Sequence, residues 1–335
     1  MFWTKFRVIT LVPAFVIIIL VSYFVSLLLK NKSEKIQLIP IQVITVILLV
    51  LEFFKQLLSI INGYDNYHIP LHFCSLFLYF MPLAAFYKGR FKEHFRTIAA
   101  VVSACLFLYM AIYPDLIYGD GNIHRIPALF QGDWRAFFDF HTVAFHNIAI
   151  FPFFFFSFQN LCKHDTKRDI ISILIAFGIY AVVAATVANV AEINFNNFHS
   201  CNAPFLENVR LAMIESMGWF GQLIYVLIIA AGTLIIPLIA YFVLKLFEKM
   251  INDIKVGTIA SIAATAATII GLIIYIINAS TGAFILSIVS MFAFALTLPT
   301  LINSIRGKKL APVIITSVLL AVDILAFVLE YITLD

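Results

Sequence analysis

Long runs of apolar residues, separated by short polar segments, recur along the whole chain. About ten of them reach the ~20 residues that a helix needs to cross the hydrocarbon core of a bilayer. They cover residues 8–29, 36–61, 70–87, 97–113, 140–161, 170–190, 217–245, 256–278, 282–302 and 310–331. Lipid offers no hydrogen-bond partner to backbone groups, so the runs are expected to be helices. The pattern predicts an all-α, polytopic transmembrane helix bundle of about ten spanning helices.

The composition supports a membrane protein and excludes several other classes. Hydrophobic residues make up 63% of the chain and charged residues 12%, whereas a soluble domain carries about 25% charged residues. The formal net charge is +4, and no basic block interleaved with aromatic residues indicates nucleic-acid binding. The four cysteines show no CxxC spacing, so neither a disulfide framework nor a thiolate zinc site is expected.

Lysine and arginine residues predict how the helices are oriented. They concentrate in alternate loops, which we expect on the cytoplasmic side. The apolar run 8–29 is too long for the core of a signal peptide, so it is predicted to be the first spanning helix. We expect three segments: residues 1–35 with the first helix and a cytoplasmic loop, 36–250 as a core bundle, and 251–335 as three further helices. The basic residues of the five loops are Lys30, Lys32, Lys35, Lys88, Arg90, Lys92, Arg96, Lys163, Lys167, Arg168, Lys245, Lys249, Lys255, Arg306, Lys308 and Lys309.

Several polar residues interrupt the apolar runs at what this orientation makes the outer side. An ionisable side chain is costly in hydrocarbon, and by default it indicates a functional site. At about 1.5 Å per residue, Cys74 is expected one turn below the outer surface. Other helices are expected to bring their polar residues to the same layer. This group comprises Glu52, Lys55, Gln56, Cys74, His141, His146, Asn189, Glu192, Asn194, Asn196 and Asn197.

Cys74 is a candidate nucleophile that needs a base to form the thiolate. On a regular helix His72 would point about 200° away from Cys74, which leaves His141 or His146 as the base. Asp139 could orient one of these histidines, as carboxylates do in catalytic triads. The alternatives are a buried cysteine without a role and histidines that only mark the ends of helices.

Other polar residues allow several functions. Glu52 and Lys55, three residues apart, are expected to pair, and they could neutralise each other or bind a lipid headgroup. His68 and His72 together with His141 could form a three-histidine zinc site. A transporter that uses Glu52, Lys55 and the asparagines as a solute or proton path is a further alternative.

The string Ile69-Pro70-Leu71-His72-Phe73-Cys74-Ser75-Leu76 resembles the proline-leucine-histidine-x-cysteine signature of the YwaF family of bacterial integral membrane proteins. A histidine near the start of a later helix, within Phe140–His146, also fits that family. So does the asparagine-rich helix end at Asn189–Phe195. The resemblance covers roughly residues 36–247, about six or seven helices of spanning length, and leaves the last three spans outside the family core.

The resemblance implies lipid chemistry in a bacterial cell membrane. The related animal transmembrane protein 164 family is regarded as lipid acyltransferases, and its active cysteine belongs to the motif that Cys74 matches. The implied function is an acyltransferase or acyl hydrolase that acts on phospholipids or lysophospholipids, without a cofactor or a metal. Cys74, His141 and His146 are the candidate catalytic residues. The candidate supporting or substrate-binding residues are His72, Glu52, Lys55, Asp139, Asn189 and Asn194.

Overall fold

A computed structural model of the chain describes residues 5–112, 122–201, 204–277 and 279–333, and within these ranges it contains helices and loops but no strand. The α-helices are α1 (Lys5–Leu29), α2 (Glu34–Gln37), α3 (Ile39–Ile61), α4 (Leu76–Phe86), α5 (Lys92–Ile112), α6 (Asn122–Leu129), α7 (Ala136–Gln159), α8 (Thr166–Val190), α9 (Pro204–Met217), α10 (Trp219–Asn252), α11 (Ile254–Ile277), α12 (Ala279–Arg306) and α13 (Leu310–Thr333).

Six helical stretches of the described residues are long and apolar enough to cross a membrane. They are Glu34–Ile61, Lys92–Ala111, Ala136–Gln159, Thr166–Val190, Trp219–Asn252 and Ile254–Ile277. Shorter apolar helices cover Pro13–Leu29, Phe73–Phe86 and Leu310–Ala326. The predicted all-α class is therefore confirmed and a membrane protein is indicated, while the number of about ten spans stays a prediction.

Local sequence explains where several helices begin and end. Asn160 ends α7 in the left-handed conformation, with φ at 53°, which asparagine adopts more readily than most residues. The Asp165 carboxylate caps α8 by accepting the Arg168 backbone N–H. Helix α10 has 34 residues, about 51 Å at 1.5 Å per residue. It is therefore longer than the hydrocarbon core requires.

The chain divides into two compact units, each built from segments distant in sequence. Unit A contains the described parts of Met1–Gln37, Leu106–Leu161 and Val243–Asp335, and unit B contains Leu38–Cys105 and the described parts of Cys162–Phe242. The predicted segments 1–35, 36–250 and 251–335 follow chain order. Unit B lies entirely within the predicted segment 36–250, whereas unit A combines parts of all three segments.

Each unit buries an apolar core. In unit A the Phe107 ring stacks on Phe153, with ring centroids 5.6 Å apart, and meets Phe154 edge-on at 5.3 Å. In unit B the Phe73 ring stacks on the fully buried Phe177, with ring centroids 5.8 Å apart. Such aromatic pairs add about 0.5–1.5 kcal/mol each to the gain from burial alone.

Candidate functional site

Cys74 lies in the first turn of a short helix of unit B. His72 is extended, with φ at −67° and ψ at 155°, and Phe73–Ser75 forms a 3₁₀ turn that leads directly into α4. Pro70 precedes this turn and is not in the helix. Cys74 therefore lies at the N-terminal end of this helix. The unpaired N–H groups and the positive end of the dipole at a helix start favour a thiolate, whereas burial opposes it and raises the pKa of the Cys74 thiol.

Burial distinguishes Cys74 from the other cysteines. All four cysteines of the chain lie in the described part, and none of them forms a disulfide bond. Cys105 is fully buried, Cys162 is 2% exposed and Cys201 is 8% exposed, whereas Cys74 is partly exposed. A reactive cysteine must be accessible, so Cys74 is the cysteine of this chain that a reagent or substrate could reach most directly.

A polar group on α3 lies beside the Cys74 turn. Lys55 Nζ lies 2.8 Å from Glu52 Oε1, the pairing that the three-residue spacing predicts. The charges of both residues act on the Cys74 sulfur and on the His72 ring. Gln56 Nε2 donates to Glu52 Oε1 at 2.6 Å and to the His68 carbonyl at 2.7 Å. Gln56 therefore ties this helix to the segment that leads to Cys74.

His72 is fixed by a backbone hydrogen bond and two aromatic rings. Its Nε2 lies 3.0 Å from the Tyr67 carbonyl oxygen. A carbonyl only accepts, so Nε2 carries the proton and Nδ1 keeps its lone pair. The ring meets Tyr67 at 4.4 Å and Phe195 at 5.2 Å between centroids. Burial lowers the pKa of the His72 imidazole, and the hydrogen bond to Tyr67 partly opposes this.

The extended backbone of His72 also removes an argument made from the sequence. The expectation that His72 points away from Cys74 assumed that both residues belong to one regular helix. His72 precedes the first helical turn, so the 100°-per-residue rotation does not apply to it. His72 is therefore a candidate base beside those that the sequence favoured.

Aromatic residues of α8 and α4 line the segment before Cys74. Phe73 stacks on Phe177 at 5.8 Å and meets Tyr180 edge-on at 6.2 Å. The Tyr180 hydroxyl donates to the Leu71 carbonyl at 3.1 Å, and the Tyr79 hydroxyl donates to the Pro70 carbonyl at 2.9 Å. These hydrogen bonds hold the backbone of residues 70–72 in its irregular path, because they satisfy carbonyls that have no helical partner.

The asparagine-rich segment has two different relations to this site. Phe195, next to Asn194, packs on His72, so the structure brings the Asn194 segment to the Cys74 region. Asn189 uses its amide elsewhere: Nδ2 donates to the carbonyls of Ala185 and Phe198, and Oδ1 accepts from Gln222. A role for Asn189 as an oxyanion donor would require breaking these bonds.

The three remaining candidates belong to α7, in unit A. His141 is 6% exposed and stacks on Phe145 at 5.2 Å. His146 Nδ1 donates to the Thr142 carbonyl at 2.6 Å, so this nitrogen carries the proton. Asp139 Oδ2 lies 3.3 Å from Arg125 Nε, so the carboxylate has a partner other than a histidine. The pairing of Cys74 with His141 or His146 stays a prediction.

A second polar cluster, around Asp169 in unit B, was not predicted. The fully buried Asp169 carboxylate accepts from His164 Nδ1 at 3.0 Å, from Tyr241 Oη at 3.0 Å and from Arg168 Nε at 2.9 Å. An aspartate early in an apolar run was the one available signal in the sequence. Its partners, which come from another helix and a loop, could not be read from spacing.

The described residues contain no group of three or more histidine, cysteine, aspartate or glutamate side chains arranged to hold a metal ion. The three-histidine zinc alternative therefore has no geometric support there. Comparisons of the chain with protein-family models, with curated proteins and with solved structures gave no match.

Proposed function

We propose that this chain is an integral membrane enzyme that transfers or hydrolyses the acyl chains of lipids, with Cys74 as the nucleophile. The observation that carries the proposal is the position of Cys74: a partly exposed free thiol in the first turn of a helix. The resemblance of residues 69–76 to the YwaF signature supports the same residue. The proposed setting is a bacterial cell membrane, with phospholipids or lysophospholipids as partners.

The proposed reaction has two steps. The Cys74 thiolate attacks the ester carbonyl, the bond from the acyl carbon to the lipid oxygen breaks, and the alcohol leaves with the proton that the base took from the thiol. The hydroxyl of a lysolipid or of water then attacks the thioester, gives its proton to the base, and releases the acyl product and the Cys74 thiol. A lysolipid acceptor makes the protein an acyltransferase, and water makes it a hydrolase.

Lys55 and Glu52 have a supporting role in this proposal. The Lys55 ammonium group, held by Glu52 at 2.8 Å, adds positive charge near the sulfur, and positive charge favours the thiolate. Replacing Glu52 by glutamine would free Lys55 from its ion pair. We expect Lys55→Met to slow acylation more than Glu52→Gln.

Three histidines are candidates for the base. His141, with His146 as second choice, follows from the sequence argument, and His72 follows from its extended position two residues before Cys74. Removing a general base costs about 10²–10⁴ in rate. Single glutamine variants of the three histidines therefore rank them by turnover, and the base is the residue whose loss falls in this range.

The decisive experiment detects the acyl-enzyme. Purified protein is incubated with phospholipid that carries a radiolabelled acyl chain, and label that neutral hydroxylamine releases reports a thioester. We expect this label on the wild-type protein and on Cys162→Ala, a variant of a buried cysteine. We expect none on Cys74→Ala, whose turnover should fall by about 10⁴ or more.

Two results would contradict the proposal. Unchanged turnover or unchanged hydroxylamine-sensitive label in Cys74→Ala would exclude Cys74 as the nucleophile. If no lipid is turned over at all while a solute crosses proteoliposomes that contain the protein, the transporter alternative is correct.

A further inference from the structure

The three C-terminal helices α11, α12 and α13 pack together within unit A and bury polar residues among themselves. On α11 the buried positions are small or hydroxyl-bearing, while isoleucines such as Ile259, Ile270 and Ile273 are exposed. This distribution, with polar side chains inside and apolar side chains outside, suits helices surrounded by lipid. The buried positions of α11 are Gly257, Thr258, Ser261, Thr265, Thr268 and Gly271.

One carboxyl group lies at the centre of this polar interior. Asp323 of α13 is 2% exposed. Its Oδ2 accepts from Thr265 Oγ1 of α11 at 3.2 Å and from Thr297 Oγ1 of α12 at 3.3 Å. All three helices therefore contribute an oxygen to one point. Both threonines are almost completely buried, at 1% and 0% exposure, so bulk water does not replace these contacts.

The Asp323 carboxyl is poorly compensated by the protein. Hydroxyl-to-carboxylate hydrogen bonds are usually about 2.5–2.7 Å long, so the two threonine contacts are long and weak. Oδ1 is buried without a hydrogen-bond partner among the described residues. Nor do these residues provide an ion-pair partner for Asp323. A buried charge of this kind costs several kcal/mol unless another group neutralises it.

Further oxygen atoms lie on the same helix face. Ser261 precedes Thr265 by four residues, one helical turn, and its Oγ is also buried without a hydrogen-bond partner among the described residues. Thr268, three residues after Thr265, is also buried on this helix, and its hydroxyl donates to the Ala264 carbonyl at 3.2 Å. Among the residues that the structure describes, the site thus combines one carboxylate with neutral hydroxyl oxygens and has no sulfur or imidazole ligand.

We propose that Asp323, Thr265 and Thr297 bind one dehydrated monovalent cation of the Na⁺ type between the three helices. Hard cations take oxygen ligands, and all of these ligands are oxygens. A single positive charge balances the single carboxylate, whereas a divalent ion would leave a net positive charge buried among apolar helices. The cation supplies the positive charge that balances the Asp323 carboxylate. It also draws the two hydroxyl groups and the carboxylate together.

The test measures how cations stabilise the purified full-length protein. Unfolding temperatures are recorded in detergent while NaCl replaces choline chloride at constant ionic strength. A ligand that binds only the folded state stabilises it in proportion to ln(1 + [L]/Kd). We therefore expect the wild-type unfolding temperature to rise with the logarithm of the Na⁺ concentration. Cys74→Ala should respond as the wild type does, because the cation site does not depend on the proposed acyl chemistry.

Variants assign the effect to the site. Asp323→Asn should abolish the response to Na⁺. Thr297→Val, which keeps the side-chain shape but removes the oxygen, should raise the Na⁺ concentration needed for half of the effect on the order of tenfold. The matched control is Thr300→Val: Thr300 is equally buried on α12, but its hydroxyl donates to the Leu296 carbonyl of its own helix. This variant should keep the wild-type Na⁺ dependence.

Three outcomes would overturn the proposal. Equal unfolding temperatures in NaCl and choline chloride would mean that Asp323 is a permanently protonated acid. An Na⁺ response that persists in Asp323→Asn would place the ion elsewhere. Stabilisation by CaCl₂ or MgCl₂ but not by NaCl would exclude the monovalent class. If Asp323→Asn does not fold, the Na⁺ response of Thr297→Val is compared with that of Thr300→Val. An equal Na⁺ response of these two variants would contradict the proposed site.

Discussion

At the scale of single residues, one backbone carbonyl determines which nitrogen of His72 can act as a base. The Tyr67 carbonyl accepts from Nε2, so the neutral ring presents the lone pair of Nδ1. Two aromatic rings and the surrounding protein shield part of the imidazole from water, and this burial lowers the pKa of His72. The ring is therefore neutral at physiological pH, the form that a general base requires.

The same burial predicts how stability depends on pH. The pKa of His72 is lower in the folded protein than the ordinary value of about 6.5, so the unfolded state binds more protons as the pH falls. This contribution to stability is present above pH 6.5 and is lost as the pH decreases below it. We expect the wild-type unfolding temperature to fall between pH 7 and pH 5, and His72→Gln should make that fall shallower.

Tyr67→Phe is the matched control for this measurement, because it keeps both the aromatic ring and the backbone carbonyl that His72 uses. The variant should retain the wild-type pH dependence. Identical slopes in the wild type and His72→Gln would show that His72 is equally easy to protonate in the folded and unfolded states.

At the scale of helices, the buried Asp169 carboxylate connects three pieces of unit B. Asp169 belongs to α8, His164 to the preceding loop, and Tyr241 to α10. The backbone N–H of Asp165 also donates to Asp169 Oδ2, at 3.1 Å. A carboxylate in the first turn of a helix interacts favourably with the helix dipole. The cluster thus holds the start of α8 against α10.

Replacing Asp169 should therefore cost more stability than replacing any one of its partners. Asp169→Asn removes the charge that faces Arg168 and His164, and breaking a buried pair in this way costs about 3–5 kcal/mol. Tyr241→Phe removes one hydrogen bond to a charged group and should cost about 1.5–3 kcal/mol. Equilibrium unfolding in mixed detergent micelles measures both values.

Asp165→Asn controls for the loss of a negative charge at the same helix end, because asparagine also caps helices well. It should cost less than about 1 kcal/mol. A loss in Asp169→Asn no larger than in Asp165→Asn would show that the Asp169 cluster does not hold α8.

The helices were predictable from sequence to the extent that they are uniformly apolar. Each predicted run overlaps a helix, because about twenty apolar residues in succession leave few alternatives in a membrane. The run 70–87 is α-helical only over Leu76–Phe86. Helices α6 and α9 were missed because their residues mix polar and apolar types. At the site, the pairing of Glu52 with Lys55 followed from local spacing. The extended His72 and the Asp169 cluster did not, because they depend on contacts between distant segments.

At the scale of the whole molecule, the distribution of lysine and arginine predicts which side of the membrane each loop occupies. The loop between α4 and α5 carries Lys88 and Arg90 and is expected in the cytoplasm, whereas the segment before α7 is expected outside. The predicted orientation matters for the proposed chemistry, because it would place the N-terminal end of the Cys74 helix at the outer leaflet. Lysolipid acceptors would then have to come from that leaflet.

Single cysteines introduced at Lys88 and Gln131 test this orientation directly. Both residues are exposed in the structure, so a difference in labelling reports the side of the membrane and not burial in the protein. In a background that carries Cys74→Ala, a membrane-impermeant maleimide applied to intact bacterial cells should label Gln131→Cys but not Lys88→Cys. Permeabilised cells, in which the reagent reaches both sides, should show labelling of both variants. The reverse pattern in intact cells would place the N-terminal end of the Cys74 helix at the inner leaflet. The acyl acceptors and donors to test would then be cytoplasmic lysolipids and acyl carriers.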